Sequence, residues 1–257
     1  MKRFLRIFLL ATFLLPAPAC TSSAQNVKTY GFKVEESVPH DVSSYTQGLF
    51  FHDGMLYESA GQYGESNFRK VDLKTGKVQQ RINFEGRYFA EGACVLNGRL
   101  YVLTWQEHEC FVYDLAKWEK IGTFRYNGEG WGLTTDGKSL IMSDGTSNIT
   151  IRNPETFAVE RTVSVTLRGQ KVAYLNELEY IKGEIWANVY GTDQIVRIKP
   201  DSGVVTGVVN CAGLLPAAQR RPRTDVLNGI ACDAHGNIWL TGKYWPKMYR
   251  ISLIEKK

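Results

Sequence analysis

Two sets of residues carry the chemistry of this chain, and each set recurs at one position of a repeated segment. The first set opens five similar stretches: Gln47 in QGLFFHDGMLY, Glu91 in EGACVLNGRLY, Trp131 in WGLTTDGKSLI, Asn176 in NELEYIKGEIW and Asn228 in NGIACDAHGNIW. A turn glycine follows after 7, 7, 6, 7 and 8 residues (Gly54, Gly98, Gly137, Gly183, Gly236), and an apolar pair comes next. The second set lies five residues beyond the start of each apolar pair: Gly61, Trp105, Gly145, Tyr190 and Lys243. Together the sets hold one acid, one amine, three amides, two indoles and a phenol. A carboxylate walled by Trp105 and Trp131 is partly desolvated, so its pKa rises toward the working pH and it suits proton transfer. Amides and a lysine ammonium stabilise a developing oxyanion.

Other mechanisms lack their parts. No Ser or Cys nucleophile meets a His at a repeated position. His40, His52, His108 and His235 are scattered near turns and strand ends, where solvated or capping roles are expected. The repeated positions offer one acid, so there is no carboxylate pair for glycoside hydrolysis. No Cys/His or carboxylate cluster has metal-ligand spacing, and no cofactor is expected. Each residue also has a purely structural reading. Trp105, Trp131 and Tyr190 fit packing aromatics, Glu91 fits a strand-end cap, and Asn176 and Asn228 fit turns. Trp186 and Trp239 are expected to pack between strands. Trp245 fits either a roof over the pocket or packing.

The elements that must position these residues are strands. Alternating apolar runs bounded by Gly, Asn, Asp and Pro predict four strands in each repeat of about 40 to 50 residues, the period of a β-propeller blade. The expected fold is all-β, a five-bladed propeller in which the opening residues ring one mouth of the central channel. The fifth repeat ends near Leu253, short of its outer strand, and Tyr30–Val34 is expected to supply that strand and close the last blade. Gly213–Asp225 is expected to be a loop between the fourth and fifth repeats. A non-catalytic propeller binding peptides or partner proteins at its face is the rival reading, since propellers host many functions. A metal-dependent propeller hydrolase would want several central carboxylates.

Composition agrees with one globular unit: 257 residues, 44% hydrophobic, 22% charged, net charge +5. The dense basic run Gln219-Arg220-Arg221-Pro222-Arg223 reads as a solvated loop rather than a nucleic-acid or membrane contact. Residues 1–24 read as a leader and short tether, with Lys2, Arg3 and Arg6 before an apolar Phe8–Leu15 too short to span a bilayer. Ala17-Pro18-Ala19-Cys20 resembles a lipoprotein box, in which Cys20 would be lipidated and tether the protein to a membrane. Cleavage after Ala24 would instead expose Gln25. Either route puts residues 25–257, expected to work as a monomer, outside the cytoplasm: periplasmic or membrane-anchored. Cys94 and Cys232 lie in apolar strand runs and read as buried thiols, while a Cys211–Cys232 bridge stays open.

At these residues the chain resembles the glutamine cyclotransferase family of plants and bacteria. The matching segments are YTQGL at 45–49, EG at 91–92, LTW at 103–105, GWG at 130–132, LNELEY at 175–180, WANVY at 186–190, LNGIA at 227–231 and TGKYWP at 241–246. The resemblance implies a five-bladed propeller and a metal-independent glutaminyl-peptide cyclotransferase. Such an enzyme converts N-terminal glutamine of peptides and proteins to pyroglutamate and releases ammonia. It also implies roles: Glu91 as catalytic acid/base, Gln47 and Asn176 as substrate-contacting amides, Lys243 as the lysine, and Trp105 and Trp131 as pocket indoles. Tyr190 stands where plant members commonly carry Trp. Asn228 is expected to line the pocket without a step of its own.

Overall fold

The computed structural model describes residues 27–256. The leader, the lipidation of Cys20 and the exposure of Gln25 lie outside the described residues. Strand β1 (Lys28–Pro39) leads into a four-stranded antiparallel meander, β2–β5 (Thr46–His52, Met55–Ala60, Asn67–Val71, Val78–Asn83). A second meander is β6–β9 (Ala90–Leu96, Arg99–Thr104, Glu109–Asp114, Glu119–Arg125). The third is β10–β13 (Leu133–Thr135, Leu140–Ser143, Asn148–Arg152, Val159–Ser164), followed by a small hairpin, β14 (Thr166–Leu167) and β15 (Gln170–Lys171). The fourth is β16–β19 (Leu175–Ile181, Glu184–Val189, Gln194–Ile198, Val205–Asn210). After a loop containing a 3-10 turn at Ala217–Gln219, β20–β22 (Leu227–Cys232, Ile238–Gly242, Lys247–Lys256) form the start of the fifth.

The N-terminal strand completes that fifth unit. β1 pairs antiparallel with β22, Tyr30 opposite Glu255 and Val34 opposite Ile251. It also pairs parallel with β19 through Lys28–Tyr30, so it covers the outer edges of two units at once. This is more than the sequence implies, because β1 is longer than the Tyr30–Val34 run.

Apolar side chains of each unit pack against the next. One cluster joins Phe50 and Phe68 to Val102 and Phe111, another joins Cys94 and Leu103 to Leu133 and Met142, and a third joins Ile141 and Ile149 to Leu178 and Ile185. Further clusters join Trp186 and Ile195 to Ile230 and Leu240, and Trp239 and Met248 to Leu49 and Leu56. The last of these returns to the first meander, and the inner strands touch in the same cyclic order, β2, β6, β10, β16, β20 and back to β2. Trp186 and Trp239 are thus packing residues. Trp245 is one too: it is 2% exposed and its Nε1 donates to Asp225 O.

The repeated glycine belongs to tight hairpins. Asp53-Gly54, Asn97-Gly98 and Lys182-Gly183 all have positive φ at both residues, the pattern of two-residue turns that match strand twist. Cys94, Cys110, Cys211 and Cys232 are free, so the open Cys211–Cys232 bridge is not formed; both of its cysteines lie in one apolar cluster.

Candidate active site

Four of the five inner strands break register at their opening residue, while β10 begins only at Leu133, after Trp131, and pairs without a shift. The shifts fall between Thr46 and Gly48, Ala90 and Ala93, Leu175 and Leu178, and Leu227 and Ile230. A bulge re-aims the side chain it carries, which is why Gln47, Glu91, Asn176 and Asn228 turn inward instead of alternating with their neighbours. Glycine follows four of the five opening residues. A Cβ on Gly132 would collide with the carbonyl oxygen of Asn176, so close inner strands exclude a side chain there. The fourth unit has Glu177 instead, and its carboxylate crosses to accept from Leu49 N at 3.2 Å and Ile230 N at 2.8 Å.

The second set follows the ends of the neighbouring strands, as the counting implies. Trp105, Tyr190 and Lys243 sit one residue past β7, β17 and β21. The glycine at 145 is also explained: a Cβ there would lie 2.6 Å from the ring of Trp131. Gly145 therefore makes room for that indole.

These residues meet around a cavity of about 200 Å³. Gln47, Glu91, Asn176 and Lys243 are nearly inaccessible and form its floor. The half-buried Trp105, Trp131, Tyr190 and Tyr45 form its walls, together with buried Phe89 and with Gln62. Trp131 meets Tyr190 edge-on at 5.6 Å, and Trp105 meets Phe89 at 5.5 Å. Seven of the eight residues singled out from the sequence line this cavity; Asn228 does not.

Asn228 stands behind Gln47, a correction to its expected place in the lining. Its Nδ2 donates to the backbone carbonyl of Thr46 at 2.9 Å and to Gln47 Oε1 at 3.1 Å. The carbonyl can only accept, so it fixes the Asn228 amide, which in turn fixes the Gln47 amide. Gln47 Nε2 then donates to Glu91 Oε1 at 2.8 Å.

Glu91 is 4% exposed. Burial drives its carboxyl pKa well above the usual range, and the nearby Lys243 charge only partly opposes this, while Glu129 and Glu107 add to the rise. Lys243 is shifted the other way: burial lowers its pKa to about 8 against the pull of Glu91 and Asp225. Its ammonium lies 4.3 Å from the centre of the Tyr45 ring and 4.9 Å from that of Tyr190, a cation held by π faces. Asn176 Oδ1 is buried without a hydrogen-bond partner, an acceptor left open at the floor.

Three features escaped sequence reasoning. Tyr45, Phe89 and Glu129 lie two residues before Gln47, Glu91 and Trp131, a third equivalent position that the repeat would have revealed. Glu177 and Glu179 lie fully buried on β16; burial raises the pKa of both, Glu179 to about 8. His40, expected to be solvated or capping, is 8% exposed, with its Nε2 3.0 Å from Glu58 Oε1. Among the described residues, no group of three or more His, Cys, Asp or Glu converges as metal ligands.

An all-β protein with a buried acid, a buried lysine and indole walls at one cavity is the class that fold and site define. The glutamine cyclotransferase family profile matches residues 7–253, and the chain belongs to that family. It is 43% identical over 228 residues to an Arabidopsis thaliana protein named glutaminyl-peptide cyclotransferase, covering 86% of this chain and 71% of that one. It also resembles the crystal structure of Myxococcus xanthus glutaminyl cyclase, with a TM-score of 0.83 and 35% identity over 90% of this chain and 100% of that one. The WD40 β-propeller domain of Doa1 matches at a TM-score of 0.50 and 16% identity over 79% of this chain and 62% of that one, a likeness of fold alone.

Proposed function

We propose that this protein is a glutaminyl-peptide cyclotransferase, acting on peptides and proteins with N-terminal glutamine. The carrying observation is Glu91, buried, oriented by the Gln47 amide and facing Lys243 in an aromatic cavity. A substrate α-amine titrates near 8, and a carboxyl raised well above its usual range can exchange a proton with it at little cost. Ammonium with carboxylate and amine with carboxylic acid are one protonation state of the complex. The free amine attacks the side-chain carbonyl carbon, forming the new C–N bond and an oxyanion. Lys243 and the Gln47 and Asn176 amides stabilise that charge. Glu91 delivers its proton to the departing nitrogen, the old C–N bond breaks and ammonia leaves, and the carboxylate so formed takes one proton from the ring nitrogen. Because the reaction is intramolecular, the aromatic walls chiefly hold the side chain folded back on its own amine.

The five four-stranded units, within residues 27–256, are taken as blades of one closed propeller. Support comes from the cyclic contacts of the inner strands and the five inter-unit clusters. The leader motif supports export, with a lipid on Cys20 or cleavage before Gln25, and the closed ring supports a monomer. The mass of the mature N-terminus separates the two processing routes. Mass spectrometry of a Gln-initiated peptide tests the activity: loss of one ammonia is expected. No loss from the Gln peptide, with retention of that peptide on the protein, would favour a binding module instead.

A further inference from the structure

The carboxylate of Glu129 has a role that neither the repeat nor the proposed chemistry assigns. It lies in the loop between β9 and β10, and a single oxygen, Oε2, accepts from Trp105 Nε1 at 2.7 Å and from Trp131 Nε1 at 2.9 Å. Its other oxygen accepts from Gln106 Nε2 at 2.9 Å. Trp105 and Trp131 come from different meanders, so one side chain ties together two walls that the sheets alone do not join. Burial acting alone would raise the Glu129 pKa, yet the donors from Trp131, Gln106 and Trp105 and the nearby His108 lower it below the usual value, keeping it the charged acceptor. Charge-assisted hydrogen bonds are shorter and stronger than neutral ones, and a shared acceptor fixes the angle between its two donors.

We infer that Glu129 is a positioning residue that clips the two indoles across the mouth of the cavity and holds them at the spacing of the glutaminyl side chain. Without the clip each indole keeps only its ring contacts, Trp105 with Phe89 and Trp131 with Tyr190, and the substrate must supply the remaining order of the walls at the expense of affinity. The inference rests on the cyclotransferase reading for its substrate, while the clip itself does not. Glu129→Ala removes the acceptor. Glu129→Gln keeps an oxygen for both indoles, and the exposed Gln106 can turn its amide to meet the new NH₂ group.

The test joins an activity-independent readout to a kinetic one. Indole N–H resonances of ¹⁵N-Trp-labelled protein report the clip. Those of Trp105 and Trp131, assigned by Trp→Phe substitution, are expected downfield in the wild type, displaced upfield in Glu129→Ala and near their original positions in Glu129→Gln. Steady-state turnover of a Gln-initiated peptide is expected to show KM raised about 10-fold to 100-fold in Glu129→Ala, the scale of a misplaced positioning group. kcat should change much less, and Glu129→Gln should recover most of the loss. Unmoved resonances, or a fall in kcat alone with KM unchanged, overturn the inference. Absent turnover in the wild type would count against the cyclotransferase reading, with the resonances still deciding the clip.

Discussion

Two buried glutamates on neighbouring units have opposite surroundings. Glu58 and Glu91 are 1% and 4% exposed. Glu58 Oε1 accepts from Thr46 Oγ1 at 2.7 Å, from the Ser44 hydroxyl and from His40 Nε2, while Arg69 Nε lies 3.3 Å from Oε2. Burial alone would raise its pKa; Arg69, His40 and these hydrogen bonds reverse that and hold it well below the usual carboxylate range. Glu91 receives one side-chain donor, from Gln47, and burial raises it instead. Burial is common to both, so partners decide the outcome. The saturated carboxylate stabilises the fold, and the starved one is poised to exchange a proton. The two are physically linked: Thr46 precedes Gln47, and His40 Nδ1 binds the Trp245 carbonyl two residues beyond Lys243.

The largest expected effect breaks the saturated side. Glu58→Ala leaves His40 buried without its counter-charge and Arg69 with Asp41 alone, and should cost about 3–5 kcal/mol, read from denaturant unfolding at pH 7. The signs of the pH dependence differ by group. The depressed Glu58 contributes stability that is present above about pH 4.5 and lost as pH falls through its lower folded value. His40 is raised, because Glu58 outweighs the effect of burial, so its contribution is full below about 6.5 and fades as pH rises through its folded value.

Breaking the starved side should have the reverse profile. Glu91→Gln keeps shape and an acceptor for Gln47 Nε2, and should reduce kcat by about 10²-fold or more, the scale of a general acid/base. Its stability should match the wild type near pH 4 and exceed it at pH 8. The raised Glu91 costs nothing while protonated in both states and destabilises as pH rises through its folded value. A variant less stable than wild type at pH 8 would contradict the contrast. Lys243→Met should lower kcat by about 10²-fold, as loss of one oxyanion donor does. In the wild type the activity carried by the ammonium should decline as pH rises through about 8, a limb that Lys243→Met should lack. The smallest effect is Asn228→Ala, which removes the donor behind Gln47. A cost of about 1 kcal/mol, seen as a several-fold loss of kcat/KM, would sharpen the view that Asn228 acts through Gln47.

Much of this was legible in the sequence because repeats force equivalence. The turn glycines, the inner-strand openings, the residues after the second strands and the closing N-terminal strand all follow from one period. Partners were less legible. Asn228 occupies the same repeat position as Glu91, yet the Thr46 carbonyl captures its amide and turns it away from the cavity. His40 lies outside the repeat altogether, and its burial depends on the 244–246 segment folding over it. Glu129 could be found by counting two residues back from Trp131, but its meaning depends on an indole from another unit. A period locates equivalent backbone positions; which side chain satisfies which is decided by contacts between units.

Burial with a single side-chain donor raises the Glu91 carboxyl and favours its protonated form. Infrared difference spectra, wild type minus Glu91→Gln, recorded across a pH titration, isolate this carboxyl from the buried Glu177 and Glu179. A carboxylic acid C=O band persisting at pH 6, and giving way to carboxylate only at higher pH, is the expected result. A carboxylate band already complete at pH 5 would contradict it.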